Sequence, residues 1–531
     1  MKRSSTWFVA LFASLALVAC GGGETPAPGP GEPSAPAAPL NVILILVDTL
    51  RADAVLDPNG QYETPNLDRF AQEGVVFPRA FASAPMTLPS HVSLFSSRPP
   101  LETKVLNNNQ TVPTSLPLVA EWFQKHDYDT RAVLSLATMN PPVANTGVSR
   151  GFASYDVDYW MMSRAEDTAQ RLWRSLDARD TDAPLFLFAH FSDPHEPYNS
   201  HGTEQRRVEV LVNGAVVKEI LVSDWNQTTV ELDLPSGVST VEFRSLEKPP
   251  RRFRVRLVEG RDEEGPLPLA WQEGKEMERV NRARLQLDRG ERAPATCTLR
   301  LWLNDVPDRE RLDDRYRGEV AYVDRYVGEL LQKLKDLGLY EDSLIVFTSD
   351  HGEALGEHNF FGHVEYLTDD MIHVPLIVKP PRGDGRRAGL EERAKGLVSH
   401  LDLVPTLLHL ASLPPLPGQR GKSLLEPHAA VHIAQTHKPE AKKNQIALRD
   451  AEFKMIYFAD EERFELYDLT ADPGETTDVY ASQSSRRKDW PEQLVALYAQ
   501  SQVTAAAGEE GHGEVDPALL KALGYGGGDE D

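Results

Sequence analysis

The chain is 531 residues long; 41% of its residues are hydrophobic, 26% are charged, and its formal net charge is −24 at pH 7. So acidic a chain is a poor partner for nucleic acid or for an anionic lipid surface. It can hold an anionic ligand only where cations or histidines are placed locally against that field.

At the amino terminus, Lys2 and Arg3 precede an apolar run from Trp7 to Ala19 that closes with Leu17-Val18-Ala19-Cys20. The run is short for a membrane span and suits the core of a signal peptide. Its ending resembles the lipobox of bacterial lipoproteins, which implies removal of Met1 to Ala19 and lipid on Cys20; an ordinary secretory signal with an incidental cysteine is the plainer alternative. Gly21 to Pro39 is rich in Gly, Pro, Ala and Ser with almost no large apolar residue, so it reads as a tether. By what is known of lipoprotein sorting, Gly21 after the cysteine implies an exported bacterial lipoprotein at the outer membrane or cell surface of a Gram-negative host. With Cys20 given to lipid, Cys297 has no disulfide partner, and core burial must supply stability.

Leu40 to Val47 (LNVILILV) is a continuous apolar, β-branched run, which predicts a strand buried on both faces of a parallel sheet. Similar runs recur at Pro184 to His190, Ser343 to Thr348 and Val374 to Lys379, each followed by polar residues. Ligand crevices of open α/β sheets lie beyond the carboxyl ends of the strands, so those junctions are where a site is expected. Gly318 to Leu337 carries apolar residues at helical spacing, and the class is α/β. From about Thr203 to Val306 the pattern changes to period two, with an Asn213-Gly214 hairpin signal between two runs, which predicts an inserted β-sandwich. Trp225, Trp271 and Trp302 have the chemistry to stack on sugars, although core packing is the simpler use. The expected organisation is a main domain in two parts (40–202 and 307–430), the insertion (203–306) and a C-terminal subdomain (431–531).

Asp48 stands at the end of the first strand, and Asp350-His351-Gly352-Glu353 follows the strand at Ser343 to Thr348. Either aspartate alone reads most simply as a helix cap. Between them, Met86-Thr87-Leu88-Pro89-Ser90-His91 puts a hydroxyl next to a helix start, where an anion is favoured.

Further along come Asp193-Pro194-His195-Glu196-Pro197-Tyr198, Gly318 to Asp324, Leu401-Asp402-Leu403-Val404-Pro405-Thr406, Glu465 to Leu469 and Asp472-Pro473-Gly474-Glu475. These motifs and their order resemble the sulfatase family of the alkaline phosphatase superfamily, over about Leu40 to Tyr525 without the insertion. The resemblance implies an alkaline-phosphatase-like mixed or parallel sheet flanked by helices, and an ester hydrolase. Three departures matter. The family's nucleophile opens a Cys-or-Ser, x, Pro, Ser, Arg motif and matures to formylglycine, whereas here the motif begins with Thr87 and ends with His91. The paired acids after the first strand are Asp48-Thr49, so one carboxylate is missing. The lysine expected after the Asp-His motif is replaced, with His363 the nearest match.

Threonine as nucleophile resembles the phosphodiesterases and phosphoethanolamine transferases of the superfamily. By this match Asp48, Thr87, Asp350 and His351 form a primary metal site. Mixed Asp and His ligation suits zinc or manganese better than calcium or magnesium, which prefer oxygen shells. His195, His363 and Asp193 are expected to hold a second ion, or the two histidines to act without metal as leaving-group acid and oxyanion donor; one ion or two stays open. His91 and Asn108 contact substrate or support the helix start. The leading expectation is hydrolysis of a phosphate ester, a diester or a lipid or glycan phosphate, at the cell surface. Sulfate-ester hydrolysis, phospho-group transfer and a non-catalytic glycan-binding lipoprotein are the alternatives.

Overall fold

The computed structural model describes residues 39–505 except 58–59, 140–145, 158–162, 197, 199–205, 223–226, 247–252, 274–281, 306–311 and 427–430. The signal, Cys20, nearly all of the tether and Trp225 lie outside the described residues. Among those residues no helix is long and apolar enough to cross a membrane.

The run at the start of the main domain forms β1 (Asn41–Val47), the middle of a seven-stranded sheet. With β2 (Val75–Val76), β3 (Asp129–Leu134), β4 (Ser154–Val157), β5 (Leu185–Phe191), β6 (Ser343–Thr348) and β7 (Leu376–Lys379), the strand order is β2-β7-β6-β1-β5-β3-β4. The absence of polar alternation in β1 has a direct cause. Val42, Leu44 and Leu46 pack into one apolar layer with Leu88 and Val92 of α2 (Thr87–Ser96), Phe123 of α3 (Val119–Lys125) and Leu407 of α6 (Leu403–Leu410). Ile43, Ile45 and Val47 pack on the other face against Phe70 of α1 (Pro65–Glu73), Leu172 of α4 (Ala165–Asp177) and Val323 and Val327 of α5 (Leu312–Asp336). Such a layered α/β architecture requires strands apolar on both sides.

Two expectations are corrected. The run Val374 to Lys379 is not one more parallel strand. Val374 pairs with Ala80 in a separate three-stranded sheet, and β7 runs antiparallel to β6, with Leu376 opposite Thr348. Its carboxyl end therefore points away from the ends of β1 and β6. The helix expected from Gly318 begins earlier, at Leu312, because Arg315 and Tyr316 are buried through polar contacts that an apolar period cannot register.

Between β5 and α5 the chain forms five-stranded and four-stranded antiparallel sheets over Arg206–Asp305. Val210, Val230, Phe243, Leu285 and Leu299 fill a core of their own, and Trp271 packs partly buried against it. At the hairpin, Val212 pairs with Ala215 while Asn213 (φ 51°) and Gly214 (φ 84°) make the turn, the left-handed pair that an Asn-Gly turn supplies.

After α6, β8 (His432–Thr436), β9 (Gln445–Arg449), β10 (Phe453–Phe458) and β11 (Arg463–Asp468) form an antiparallel meander, which α7 (Trp490–Ala505) covers. The family's closing motif has a structural use here. The ammonium of Lys454, fully buried, lies 2.5 Å from Asp369 Oδ1 and 2.6 Å from Glu475 Oε1, while Arg449 holds Asp369 Oδ2 at 3.0 Å. Removing one member leaves a buried charge uncompensated, so Lys454→Ala should lower stability by about 3–5 kcal/mol. An unchanged urea midpoint would show that the network contributes nothing. Replacing 203–306 by a short linker should leave a soluble, cooperatively unfolding protein; insoluble product would mean that these sheets belong to the main core.

Candidate active site

β1 and β6 are neighbours in parallel register, with Leu46 opposite Thr348, so Asp48 and Asp350 leave the sheet at the same level. Both are fully buried. Thr49, where the family pattern has a second acid, adopts φ 56° and donates its Oγ1 hydrogen to Asp48 O at 2.7 Å. Tyr316 donates to Thr49 O at 2.8 Å and accepts from Arg51 N at 2.9 Å, which fixes the turn. A left-handed β-branched residue is held in place only by surroundings that over-determine it. Its hydroxyl is turned onto its own strand and does not substitute for the missing carboxylate.

Asp350 Oδ1 accepts from Thr49 N (3.3 Å) and His351 N (2.9 Å). Its Oδ2 has no hydrogen-bond donor and lies 3.4 Å from His351 Nε2; neither carboxylate oxygen of Asp48 receives a hydrogen bond, and His351 Nε2 is 3.7 Å from Asp48 Oδ1. A ligand atom from each of Asp48, Asp350 and His351 lies within 4.8 Å of the other two. Burial, with Asp350 beside it, pushes Asp48 up to about 7, and burial pushes Asp350 up to about 8. His351 Nδ1 faces Gly352 O at 3.0 Å, and a carbonyl can only accept. Nδ1 therefore carries the hydrogen and Nε2 turns a lone pair toward the two carboxylates. Burial lowers this imidazole to about 4, so it is neutral. Carboxylate oxygens without hydrogen-bond donors and an imidazole lone pair, converging in a buried site, are a donor set that fits a divalent cation.

Thr87 is the first residue of α2, and Met86 before it is extended. The helix start is fastened to Asp350. Ser90 Oγ donates to Asp350 O at 2.7 Å, and His91 Nδ1 lies 2.7 Å from Thr87 O and 3.5 Å from Asp350 Oδ2. Asn108 Oδ1 accepts from Leu88 N at 2.8 Å, and Asn108 Nδ2 is buried with no protein acceptor. Asn108 thus supports the helix start and retains a donor. Thr87 itself is fully buried.

The remaining histidines gather at the same end of the sheet. The rings of His195 and His363 are 4.9 Å apart, and those of His351 and His363 are 4.7 Å apart. Burial lowers His195, pushes His363 down to about 3 and His91 to about 4. Neutral imidazoles suit ligation or N–H donation. Asp193 caps α4: its Oδ1 accepts from Ala165 N at 2.9 Å.

Two residues escaped the sequence reading. His190, at the end of β5, is buried with Nε2 3.9 Å from Asp48 Oδ2 and Nδ1 3.2 Å from Ser135 Oγ. Its signal was a histidine closing an apolar strand that pairs with β1. Glu353 Oε1 lies 3.1 Å from His363 Nδ1, and burial raises this carboxyl to about 8. It stood in view in the Asp-His-Gly-Glu motif.

The sequence profile of the sulfatase family matches residues 40–413, most of the chain. This protein belongs to the sulfatase family. It is an ester hydrolase of the alkaline phosphatase superfamily, and residues 356–500 match the C-terminal profile of N-sulphoglucosamine sulphohydrolase. Human iduronate 2-sulfatase is 24% identical over 73% of this chain and 66% of that enzyme. An N-acetylglucosamine-6-O-sulfatase of Bacteroides thetaiotaomicron is 21% identical over 94% of this chain and 91% of its own length. A crystal structure of the phosphonate monoester hydrolase of Agrobacterium radiobacter shares the fold of this sulfatase-family chain, with a TM-score of 0.57, 21% identity and coverage of 87% of this chain and 96% of that one.

Both aspartates bind a proton more tightly when folded than their ordinary value of 3.8. Without a cation, the folded state therefore holds more protons than the unfolded state, and stability falls as pH rises from 3.8 through about 8. A cation must displace those protons, so it binds better as pH rises. Added manganese or zinc should raise the melting temperature of chelated protein more at the alkaline end of this window than at the acid end. Equal shifts at both ends would dissociate the carboxylate pair from cation binding.

Proposed function

We propose that this sulfatase-family protein hydrolyses phosphate esters, a phosphodiester or a lipid or glycan phosphate, with Thr87 as nucleophile. The observation that carries the reading is Thr87 as first residue of α2, on a helix start tied to Asp350 through Ser90 and His91.

The positive end of the helix dipole at the start of α2 favours an anion, and Asn108 Nδ2 adds a donor beside it. A divalent cation held by Asp48, Asp350 and His351, with Thr87 as a further ligand, would lower the pKa of the threonine hydroxyl and draw charge off the attacked centre. Thr87 Oγ1 forms the new bond to phosphorus, and the bond from phosphorus to the leaving alcohol breaks; the threonine proton departs with that alcohol. Water then attacks the phosphothreonine and restores the hydroxyl. Formylglycine, as the family resemblance implies, expels sulfate by hemiacetal collapse; threonine has no such exit and depends on that attack by water, which phosphorus tolerates.

Sulfate-ester hydrolysis is the second reading, favoured by the family and by relatives named for sulfated substrates. With manganese or zinc supplied, a nitrophenyl phosphate mono- or diester should be cleaved faster than nitrophenyl sulfate. Thr87→Ala should remove nearly all turnover while the fold persists, and Asp350→Asn should weaken metal binding and activity together. Efficient sulfate release with phosphate esters untouched would overturn the phosphate assignment, and full activity in Thr87→Ala would remove the nucleophile. The proposed site of action is the cell surface, reached through lipid on Cys20. Cys20→Ser should move the protein from the membrane to the soluble fraction, and continued retention would point to a different anchor.

A further inference from the structure

An anionic ester entering this site meets the carboxyls of Asp48, Asp350 and Glu353 and a set of neutral imidazoles. The family pattern would provide two fixed cations, an arginine where His91 stands and a lysine where His363 stands, and this chain has neither. Arg51 brings a guanidinium to Glu353, but it is held by Asp53 and Glu357, each at 2.7 Å, and by Glu353 O at 2.9 Å.

The C-terminal sheet brings a cation back. β8 ends at Thr436, whose hydroxyl donates to the carbonyl of Val364, the residue after His363. Val364 has φ 88°, a left-handed conformation for a β-branched residue that the hydroxyl helps to hold. Two residues further on, Lys438 Nζ meets Glu365 Oε1 at 3.2 Å, and Gln445 Nε2 of β9 donates to Glu365 O at 2.8 Å. The Lys438 side chain is only 9% exposed. Its charge is felt at His363, where it adds to burial in holding that imidazole neutral. Thus β8 and the loop after it pin the turn that carries His363 and set an ammonium on Glu365, two residues along that turn.

We propose that Lys438 is the anion anchor of this site, supplying from the C-terminal sheet the cation that the family pattern places at His363. An ammonium has three donors; one remains on Glu365 while another binds an anionic oxygen of the ester. The proposal rests on reading the Asp48–Thr87 centre as an ester-hydrolysing site, but not on the identity of its nucleophile.

The test is calorimetric titration of inorganic phosphate, and separately sulfate, into the full chain loaded with manganese or zinc. Lys438→Met should weaken phosphate binding by about tenfold or more, with metal content unchanged, and raise KM for a nitrophenyl phosphate. Lys438→Arg should recover much of the loss. Glu365→Gln, which keeps the ammonium and removes its partner, should bind phosphate as tightly as the parent protein or more so. Equal affinity in Lys438→Met, matched losses in Lys438→Met and Glu365→Gln, or no binding of either anion by the parent protein would overturn the proposal, the matched loss marking a purely structural clamp. Turnover surviving in Thr87→Ala while Lys438→Met loses phosphate binding would instead refute the nucleophile and leave the anchor standing.

Discussion

The rest of this structure depends on the burial of two carboxylates side by side, Asp48 and Asp350, at the ends of adjacent parallel strands. An unneutralised pair of this kind is strongly unfavourable in a dry interior. The surroundings make sense as a response. Backbone N–H groups satisfy one oxygen of Asp350, the imidazole tautomer of His351 is set by a carbonyl, and a helix start is tied against the pair by Ser90. Each of these contacts leaves lone pairs pointing inward and supplies no positive charge. A cation held there would complete the arrangement, and it is also what an acidic protein needs to admit an anionic ester.

Much of this was legible in the sequence because both faces of β1 are covered. A strand sandwiched between two helical layers must be apolar throughout, and the polar residue that ends the run then marks the crevice. The same logic hid the direction of β7, since a strand apolar on both faces reads alike in either sense. Only the short pairing of Val374 with Ala80 and the break at Pro375 separate it from its parallel neighbours. The hairpin at Asn213-Gly214 was legible for a different reason: two successive left-handed residues leave few choices of side chain.

Site residues sorted themselves similarly. Asp48, Thr87, Asp350 and His351 stand at ends of elements, where a polar residue interrupts an apolar pattern. His190 was masked by the apolar strand it closes, and Tyr316 by lying within an amphipathic helix whose period ignores its hydroxyl. Asp193 shows that a carboxylate in a suggestive motif also has a local structural use, here as a cap on α4. Lys438 had no local signal at all. Its relation to His363 exists only once β8 is laid against the turn at Val364, and that is a property of tertiary packing.

Thr49 and Asp350 are 301 positions apart, and the bond between them joins the first strand of the domain to one laid down after the whole β-rich segment. Nothing resembling the donor set can exist in a partly made chain, because the two aspartates meet only when β6 docks beside β1. An ion held by both aspartates could therefore be taken up only after β6 has docked beside β1, in whatever compartment the chain had reached by then. Between metals that the ligands tolerate comparably, the choice would be made by local abundance at that place and moment and not by the protein's intrinsic preference.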